Sequence, residues 1–255
     1  MTLLSSRPIA GVLLDVGGTL WPDRWPPDSA LAASRLQAAL PGLAPRSAFN
    51  FLDQFAALAP EVESSTSQDT PALIARAAHL AGLSIPTDRI DPVRRALCLP
   101  AAGRGELFPG ARELLASIRA LGLRCAIVSN AAVRAGADYA EDFAGFGVGY
   151  LVDAFISSVD TGVRKPDLRI FRAALDAIEC PPADVVVVGN SEPNDIEPAG
   201  RLGARSIRVV IEEPPPSDTA ADLLATSLAE VVQALSAWAR PGHTEPPPRF
   251  SSRAD

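Results

Sequence analysis

IAGVLLDVGGTL, residues 9–20, joins a run of apolar residues to an aspartate, two glycines and a threonine. A short apolar run of this kind predicts a strand that is buried on both faces, as strands are in parallel sheets. Gly17 and Gly18 permit a tight turn soon after the strand. We therefore expect Asp15 to project its carboxylate from the carboxyl edge of a sheet, where ligands bind in open α/β folds.

Four more apolar runs have the length of buried strands, and they cover residues 124–130, 154–158, 184–190 and 205–211. Segments with helical spacing, such as GARELLASIRALG and PDLRIFRAALDAIE, lie between them. This alternation predicts an α/β fold with a parallel sheet, and right-handed crossovers place the strand ends on one edge. The sequence therefore predicts a Rossmann-like, doubly wound core.

An insertion interrupts this alternation. Residues 21–106 contain Ala- and Leu-rich segments with helical spacing, such as SALAASRLQAAL, and no convincing strand. We predict an all-helical domain there and a core formed by residues 1–20 and 107–237. The segment DLLATSLAEVVQALSAWAR, residues 222–240, is predicted to be a closing helix. Residues 238–255 are rich in Pro, Ser and charge, which predicts a disordered tail.

Composition narrows the class of protein. The chain has 30 acidic and 23 basic residues, a balance that gives no basic face for nucleic acid. It contains no long uncharged apolar run of the kind that spans a membrane, so we expect a cytoplasmic protein without a membrane partner. Cys98, Cys125 and Cys180 are scattered, and this spacing favours free thiols over a disulfide framework or a zinc site.

Polar residues follow or precede several of the predicted elements. Ser129 and Asn130 end the second strand, where they could hold an anionic oxygen. Lys165 stands just before a predicted helix, and Asn190 and Asp195 lie in the loop after the fourth strand. Each has an ordinary structural alternative, since Ser, Asn and Asp often cap helices and lysines are usually solvated.

Taken together and in this order, these segments resemble the haloacid dehalogenase superfamily over about residues 9–211. The resemblance implies that Asp15 is a nucleophile that forms a covalent aspartyl intermediate. It also implies that Thr19 supports the nucleophile loop, that Ser129 binds the transferring group, and that Lys165 steadies Asp15 and the developing charge. The insertion resembles the helical cap of subclass I members, which closes over a small-molecule substrate.

The resemblance further implies a Mg²⁺ site and a set of substrate contacts. The expected metal ligands are Asp15, Gly17, Asn190 and Asp195. The expected substrate contacts are Gly18, Trp21 and Asn130. Trp21 and the nearby Trp25 have packing beside the hinge as an alternative role.

Two positions depart from the pattern of the superfamily's phosphatases. Where those enzymes usually carry a second Asp as general acid and base, this chain has Gly17, and such a group typically contributes about 10²- to 10⁴-fold in rate. Where the last motif usually begins with an acidic residue, this chain has Asn190. The loss of that charge weakens a site for a hard cation. One hypothesis is that Glu192 folds back and compensates, and the other is that Asp195 suffices together with Asp15 and a backbone carbonyl.

Three functions are compatible with these motifs. The first is a phosphatase that acts on a small phosphorylated metabolite, with Mg²⁺ and with turnover reduced by Gly17 and Asn190. The second is a metal-independent hydrolase of the dehalogenase branch, which would need no acid for a halide leaving group. Against this function, that branch generally has a bulky residue at the position of Gly17 and an arginine in the cap that the sequence does not identify here. The third is a weak or inactive member that binds a ligand or partner. The sequence leaves the substrate and the oligomeric state open.

Overall fold

The computed structural model describes residues 7–22 and 28–239 and contains a six-stranded, wholly parallel sheet. The strands are β1 (Gly11–Leu14), β2 (Arg124–Ser129), β3 (Ala154–Ser157), β4 (Val185–Gly189), β5 (Arg205–Val209) and β6 (Leu223–Ala225). Their order across the sheet is β3-β2-β1-β4-β5-β6. This confirms the predicted α/β class and the doubly wound parallel core.

The register of the central strands explains where polar residues meet. Leu14, the last residue of β1, pairs with Ile127 of β2 and Val188 of β4. The backbone N–H of Asp15 donates to the carbonyl of Val188 over 2.9 Å. The three central strands therefore end side by side, and the residues that follow them share one edge of the sheet.

Helices cover both faces of the sheet. The core helices are α6 (Ala111–Ala120), α7 (Gly136–Gly145), α8 (Ser158–Thr161), α9 (Leu168–Ile178), α10 (Glu197–Leu202) and α11 (Leu228–Trp238). Alternate residues of β1 point to opposite apolar clusters, with Val12 and Leu14 in the cluster of α6, α7 and α11. Leu13 lies in the cluster of α9 and α10. Burial on both faces accounts for the continuous apolar run of β1.

The described part of the insertion folds into five helices that have an apolar cluster of their own. They are α1 (Ser29–Ala39), α2 (Pro45–Ala57), α3 (Ala59–Ser64), α4 (Thr70–Leu80) and α5 (Ile90–Leu97). We call these helices the helical unit. Leu36, Phe51, Ile74 and Val93 form the centre of its cluster and are almost completely buried. The helical spacing of the insertion is therefore the spacing of residues that face this cluster.

A short backbone bridge connects the helical unit to the core. Ser67 and Val163 form an isolated antiparallel bridge. The N–H of Arg164 donates to the carbonyl of Thr66 over 2.8 Å, and the N–H of Gln68 donates to the carbonyl of Gly162 over 3.0 Å. We call residues 66–68 and 162–164 the seam. Because Lys165 follows the seam directly, the helical unit and the core meet beside a predicted site residue.

The segment at residues 222–240 differs from the predicted single helix. Its first part is β6, which pairs with β5 at the edge of the sheet, and only the second part is the helix α11. The side chain of Ser227 caps α11 by accepting from the N–H of Glu230, which separates the two elements. Trp238, the first residue assigned to the tail, is the last residue of α11 and is buried. Residues 240–255 lie outside the described residues.

Two expectations from composition can be compared with the structure. Cys98, Cys125 and Cys180 are free and buried, as predicted. Within residues 7–22 and 28–239, the helices lack the length and apolar character that crossing a membrane would require.

Candidate active site

The turn after β1 presents Asp15 at the edge of the sheet. The carbonyl of Val16 accepts from the N–H groups of Thr19 and Leu20, at 3.1 and 2.8 Å, which folds the chain back on itself. The turn brings Thr19 next to Asp15, and the hydroxyl of Thr19 donates to Oδ2 of Asp15 over 3.0 Å. Thr19 is fully buried behind the carboxylate. The structure therefore places Thr19 where a loop-supporting residue would lie.

Gly18 packs against the loop after β4. It has φ of +69°, and a Cβ at this position would lie 2.2 Å from Nδ2 of Asn190. Only glycine avoids both the left-handed strain and the clash. The N–H of Gly18 donates to the carbonyl of Trp21 over 2.8 Å, and Gly18 does not line the cavity described below. The substrate contact predicted for Gly18 is therefore not supported, and its role is close packing against Asn190.

Lys165 links the two buried carboxylates of the site. Its Nζ donates to Oδ1 of Asp15 over 2.6 Å and to Oδ1 of Asp195 over 2.7 Å. The Lys165 side chain is almost completely buried. Burial alone would lower the pKa of Lys165, but the attraction of Asp15 and Asp195 outweighs it and raises the pKa above its ordinary value. Lys165 is therefore a fixed positive charge beside the predicted nucleophile.

The amide of Asn130 holds the backbone of Lys165. Its Nδ2 donates to the carbonyl of Lys165 over 3.0 Å, and its Oδ1 accepts from the N–H of Lys165 over 2.7 Å. Asn130 also lines the cavity. The contact in the structure is thus one that positions Lys165, and the substrate contact expected of Asn130 stays a prediction.

Asp195 belongs to a π-helical turn, Glu192–Ile196, that precedes α10. Its Oδ2 accepts from the N–H of Ser191 over 3.1 Å. A Cβ on Gly189 would lie 2.3 Å from the carboxyl carbon of Asp195, so glycine at the end of β4 makes room for it. Burial raises the pKa of Asp195 to about 6, although Lys165 acts in the opposite direction. The positive charge of Lys165 therefore favours the ionised form of Asp195.

Ser129 and Trp21 meet a residue that sequence reasoning did not identify. The hydroxyls of Ser129 and Tyr139 are 2.7 Å apart, and both residues are buried. The ring of Trp21 stacks on that of Tyr139 with centroids 6.0 Å apart, and it also contacts Phe143 and Phe146. Burial raises the pKa of Tyr139, which keeps its phenol protonated and able to donate. Trp21 is thus mainly a packing residue with one side towards the site, and Trp25 lies outside the described residues.

A cavity of about 470 Å³ brings these side chains together. The predicted residues that line it are Asp15, Gly17, Trp21, Ser129, Asn130, Lys165, Asn190 and Asp195. The lining residues that were not predicted are Ala101, Arg104, Arg134, Tyr139, Ser191 and Asn194. Ser191 and Asn194 lie between two predicted positions and were within reach of the motif. Arg104, Arg134 and Tyr139 lie between motifs, where no sequence signal distinguishes them.

The oxygen donors in the cavity suit a divalent cation, but they carry less negative charge than a set with three carboxylates. Asp15 and Asp195 supply carboxylates, Asn190 supplies a neutral amide oxygen, and Gly17 can supply only its backbone carbonyl. In the part of the chain that the structure describes, no group of three or more His, Cys, Asp or Glu side chains could hold a metal ion. The donors that the cavity offers a cation are therefore two carboxylates, one amide oxygen and one backbone carbonyl.

Glu192 does not compensate for the missing carboxylate. Its Oε2 accepts from Nη1 of Arg208 over 2.8 Å and from the hydroxyl of Thr219 over 2.6 Å. Its Oε1 accepts from the N–H of Ala220 over 2.7 Å. Glu192 does not line the cavity, so the hypothesis that it folds back into the site is not supported. Its partners lie far along the chain, which is why the motif alone could not reveal them.

Comparisons with known proteins agree with this site at the level of the family. The chain is 36% identical over 109 residues to haloacid dehalogenase-like hydrolase domain-containing protein 3 of Xenopus laevis, which covers 43% of each chain. It is 31% identical over 106 residues to a phosphoserine phosphatase of Thermus thermophilus, which covers 42% of this chain and 41% of the relative. The matched regions therefore span less than half the length of these curated relatives.

A solved structure of a 2-haloacid dehalogenase from Pseudomonas syringae superposes with a TM-score of 0.62 at 20% identity. The superposition covers 90% of this chain and 99% of the dehalogenase, and it shows a shared fold. The family model of haloacid dehalogenase-like hydrolases matches residues 9–203. Because this match covers most of the chain, the protein belongs to the haloacid dehalogenase-like hydrolase family.

Proposed function

We propose that the protein is a phosphatase that acts on a small phosphorylated metabolite through a covalent intermediate on Asp15. The observation that carries this proposal is the Asp15 carboxylate at the cavity, which Thr19 and Lys165 hold and which Ser129 accompanies. A fixed cation and a hydroxyl beside the nucleophile suit the oxygens of a phosphoryl group. The phosphoserine phosphatase among the relatives supports the same chemistry.

In the proposed reaction the Asp15 carboxylate attacks phosphorus. The bond from Asp15 to phosphorus forms while the bond from phosphorus to the ester oxygen breaks, and that oxygen leaves with the bonding electrons as an alkoxide or phenolate, which water then protonates. Lys165 and Ser129 would hold phosphoryl oxygens, and Thr19 and Lys165 would keep the Asp15 carboxylate oriented. Water then hydrolyses the aspartyl phosphate and releases inorganic phosphate.

The glycine two residues after Asp15 limits the choice of leaving group. Gly17 has no side chain that could protonate the departing oxygen. An ester of an acidic alcohol or phenol needs this protonation least, because its oxygen leaves as a stable anion. We therefore expect such esters to be turned over fastest and ordinary alkyl phosphates slowly.

Mg²⁺ is proposed as the cofactor. Asp15, Asn190 and Asp195, with the carbonyl of Gly17, would hold it, and when bound it would neutralise charge on the phosphoryl group. The two-carboxylate donor set supports weaker binding than a site with three carboxylates would give.

We also propose that the helical unit acts as the cap of this active site, with core boundaries near residues 20 and 107. Its support is the seam, which fixes the helical unit next to Lys165, and the position of Arg104 at the end of the insertion, where it lines the cavity. Trp21 packs in the core cluster although it lies just inside the predicted insertion. The boundary near residue 20 is therefore a junction that both parts share.

The test is phosphate release from a panel of phosphorylated metabolites and p-nitrophenyl phosphate, with Mg²⁺ and with EDTA. We expect release by the wild type with Mg²⁺, strongest with p-nitrophenyl phosphate, and none by Asp15→Asn. This conservative variant keeps the size of the side chain and removes the nucleophile. Release by Asp15→Asn at the wild-type rate would contradict the covalent mechanism.

A metal-independent dehalogenase is the second candidate. Two observations favour it, namely the neutral Asn190 in the metal site and Arg104, which supplies an arginine at the end of the insertion. Halide release from 2-chloropropionate in EDTA, absent in Asp15→Asn, would establish it. If neither phosphate nor halide is released above the background of Asp15→Asn, a ligand-binding or partner-binding role becomes the preferred function.

A further inference from the structure

Two arginines stand at the junction of two cavities. Arg104 and Arg134 line the cavity that contains Asp15, and both also line a second cavity of about 320 Å³. The second cavity lies among the helices of the helical unit and is mostly apolar. Its apolar lining is Ala32, Leu52, Phe55, Ala56, Leu97 and Leu99. Both arginines therefore border the space above Asp15 and the space beyond it.

Arg134 is held in place from several directions. Its Nη1 pairs with Oδ2 of the buried Asp142, and its Nη2 donates to the carbonyl of Leu99 over 2.7 Å. Its guanidinium carbon lies 5.5 Å from the centroid of the Tyr139 ring. These contacts use two of its three nitrogen atoms and fix the orientation of the planar group. The guanidinium is thus pre-organised before any ligand arrives.

The same carboxylate also organises the segment that carries Arg104. Oδ1 of Asp142 accepts from the N–H of Ala101 over 2.6 Å. The N–H of Arg104 in turn donates to the carbonyl of Ala101 over 3.1 Å, which closes a turn. Asp142 therefore anchors one arginine through its side chain and the other through the backbone turn. Asp142 itself is buried and does not line either cavity.

A single phosphoryl group at Asp15 already has Lys165 and Ser129 as partners, so it does not require both arginines. We propose that Arg104 and Arg134 form a second anion-binding subsite, and that the substrate is a phosphate monoester that also carries a carboxylate. The planar guanidinium fork matches a carboxylate in geometry. Among the described residues that line the second cavity, the acidic one is Asp28, and its Oδ1 caps α1 by accepting from the N–H of Leu31 over 2.9 Å. This inference rests on the proposed phosphatase function and extends it to a class of substrate.

The first experiment measures binding without turnover. The probes are two matched pairs of phosphonates, which have no ester bond to hydrolyse: phosphonoacetate with ethylphosphonate, and 3-phosphonopropionate with propylphosphonate. Each pair differs in a carboxylate that replaces a methyl group, and the two pairs differ in reach. We expect the dissociation constant of at least one carboxylate probe to be about tenfold or more below that of its alkyl partner, as for a hydrogen-bonded charge pair.

Arg104→Gln is the test variant because Arg104 is only partly buried and its loss leaves the Asp142 contacts in place. In this variant we expect the preference for the carboxylate probe to fall to about threefold or less. Arg76→Gln is the matched control, since Arg76 lies in the helical unit, pairs with Glu61 and is more than half exposed. It should keep the full preference of the wild type.

Turnover supplies the second readout. With phosphoglycolate as substrate, Arg104→Gln should raise KM about tenfold, whereas the control Arg76→Gln should keep the KM of the wild type. Equal affinity of the wild type for both members of both phosphonate pairs, or an unchanged preference in Arg104→Gln, would overturn the subsite.

The two proposals fail separately. Binding that depends on Arg104 without any phosphate release would keep the subsite and reject the phosphatase. Release that depends on Asp15 without a carboxylate preference would keep the phosphatase and reject the subsite.

Discussion

Arg164 and Lys165 are neighbours in the chain and are both buried cations, but their surroundings are opposite. Lys165 donates to the two carboxylates of Asp15 and Asp195, and its pKa is raised. The Nη1 of Arg164 donates to neutral oxygens, Oε1 of Gln68 at 2.8 Å and the carbonyl of Ala131 at 3.2 Å. Its buried Nε has no hydrogen-bond partner among residues 7–22 and 28–239. Burial lowers the pKa of Arg164, with only partial compensation from Glu63.

The difference separates two uses of a buried charge. At Lys165 the cation lies between two carboxylates that would otherwise repel each other, so its charge matters mainly for the active site. At Arg164 the hydrogen bonds go to neutral oxygens, and the bond to Gln68 lies at the seam between the helical unit and the core. We therefore expect changes at Lys165 to affect catalysis most and changes around Arg164 to affect stability.

The largest effect is expected from Lys165→Met. This variant leaves Asp15 and Asp195 without their shared cation and removes the group that faces the phosphoryl oxygens. We expect kcat for p-nitrophenyl phosphate to fall by about 10²- to 10³-fold, as for loss of a charge-stabilising donor. Steady-state kinetics on protein whose fold is verified by circular dichroism would check this. A kcat within threefold of wild type would remove Lys165 from the proposed mechanism.

Next in size is Gln68→Ala, which removes the closest acceptor of Arg164. Because the charge then loses a buried partner, we expect the free energy of unfolding to fall by about 2 kcal/mol. Gln37→Ala is the matched control, since Gln37 lies in the same helical unit and its Nε2 donates to the carbonyl of Leu43 over 3.0 Å. Urea denaturation should show a smaller loss for Gln37→Ala. Equal losses would mean that the charge of Arg164 is unimportant to the seam.

Whether the sequence alone could predict a residue of the cavity depends on which element of the fold carries that residue. Asp15, Ser129 and Asp195 could be placed together because each one ends or closely follows a strand of a parallel sheet. Tyr139 and Arg134 could not, since they reach the cavity through α7 and the loop before it, which no motif marks. The helix predicted over β6 illustrates a related limit, because three residues of an edge strand are too few to show a period of two.

A third cation, Arg208, differs from both Lys165 and Arg164, because its ion pair with Glu192 is partly exposed. Burial acts to raise the pKa of Glu192, but hydrogen bonds from Thr219 and Ala220 and the charge of Arg208 lower it overall. The stabilisation is therefore present above the unfolded pKa and is lost as pH falls through the lower folded pKa.

Glu192→Gln should accordingly lower the free energy of unfolding by about 1 kcal/mol at pH 7. The difference from wild type should shrink below about pH 4, where the carboxyl of the unfolded chain is protonated. Urea denaturation at pH 7 and at pH 3.5 would measure it. A Mg²⁺ titration of activity should match wild type, because Glu192 lies outside the cavity. If this variant needed a higher Mg²⁺ concentration than wild type for half-maximal activity, Glu192 would contribute to the metal site.

The smallest effect is expected from Arg164→Met. It loses two hydrogen bonds to neutral oxygens but removes the cost of burying a charge, so the free energy of unfolding should change by less than about 1 kcal/mol. Gln68→Ala should cost less in this background than in the wild type, because only its hydrogen bonds to Thr70 and to the carbonyl of Ala132 then remain to be lost. A loss of several kcal/mol in Arg164→Met would show that the charge itself holds the seam together.

The backbone bridge of the seam also provides an observable for motion. Any movement that lifts the helical unit from the core must break the hydrogen bonds from the N–H groups of Gln68 and Arg164. These two amides should therefore exchange with deuterium at a rate set by that opening, while the amides of β1 report unfolding of the whole core. A ligand that spans the cavity and the helical unit should slow exchange at Gln68 and Arg164 before it affects β1.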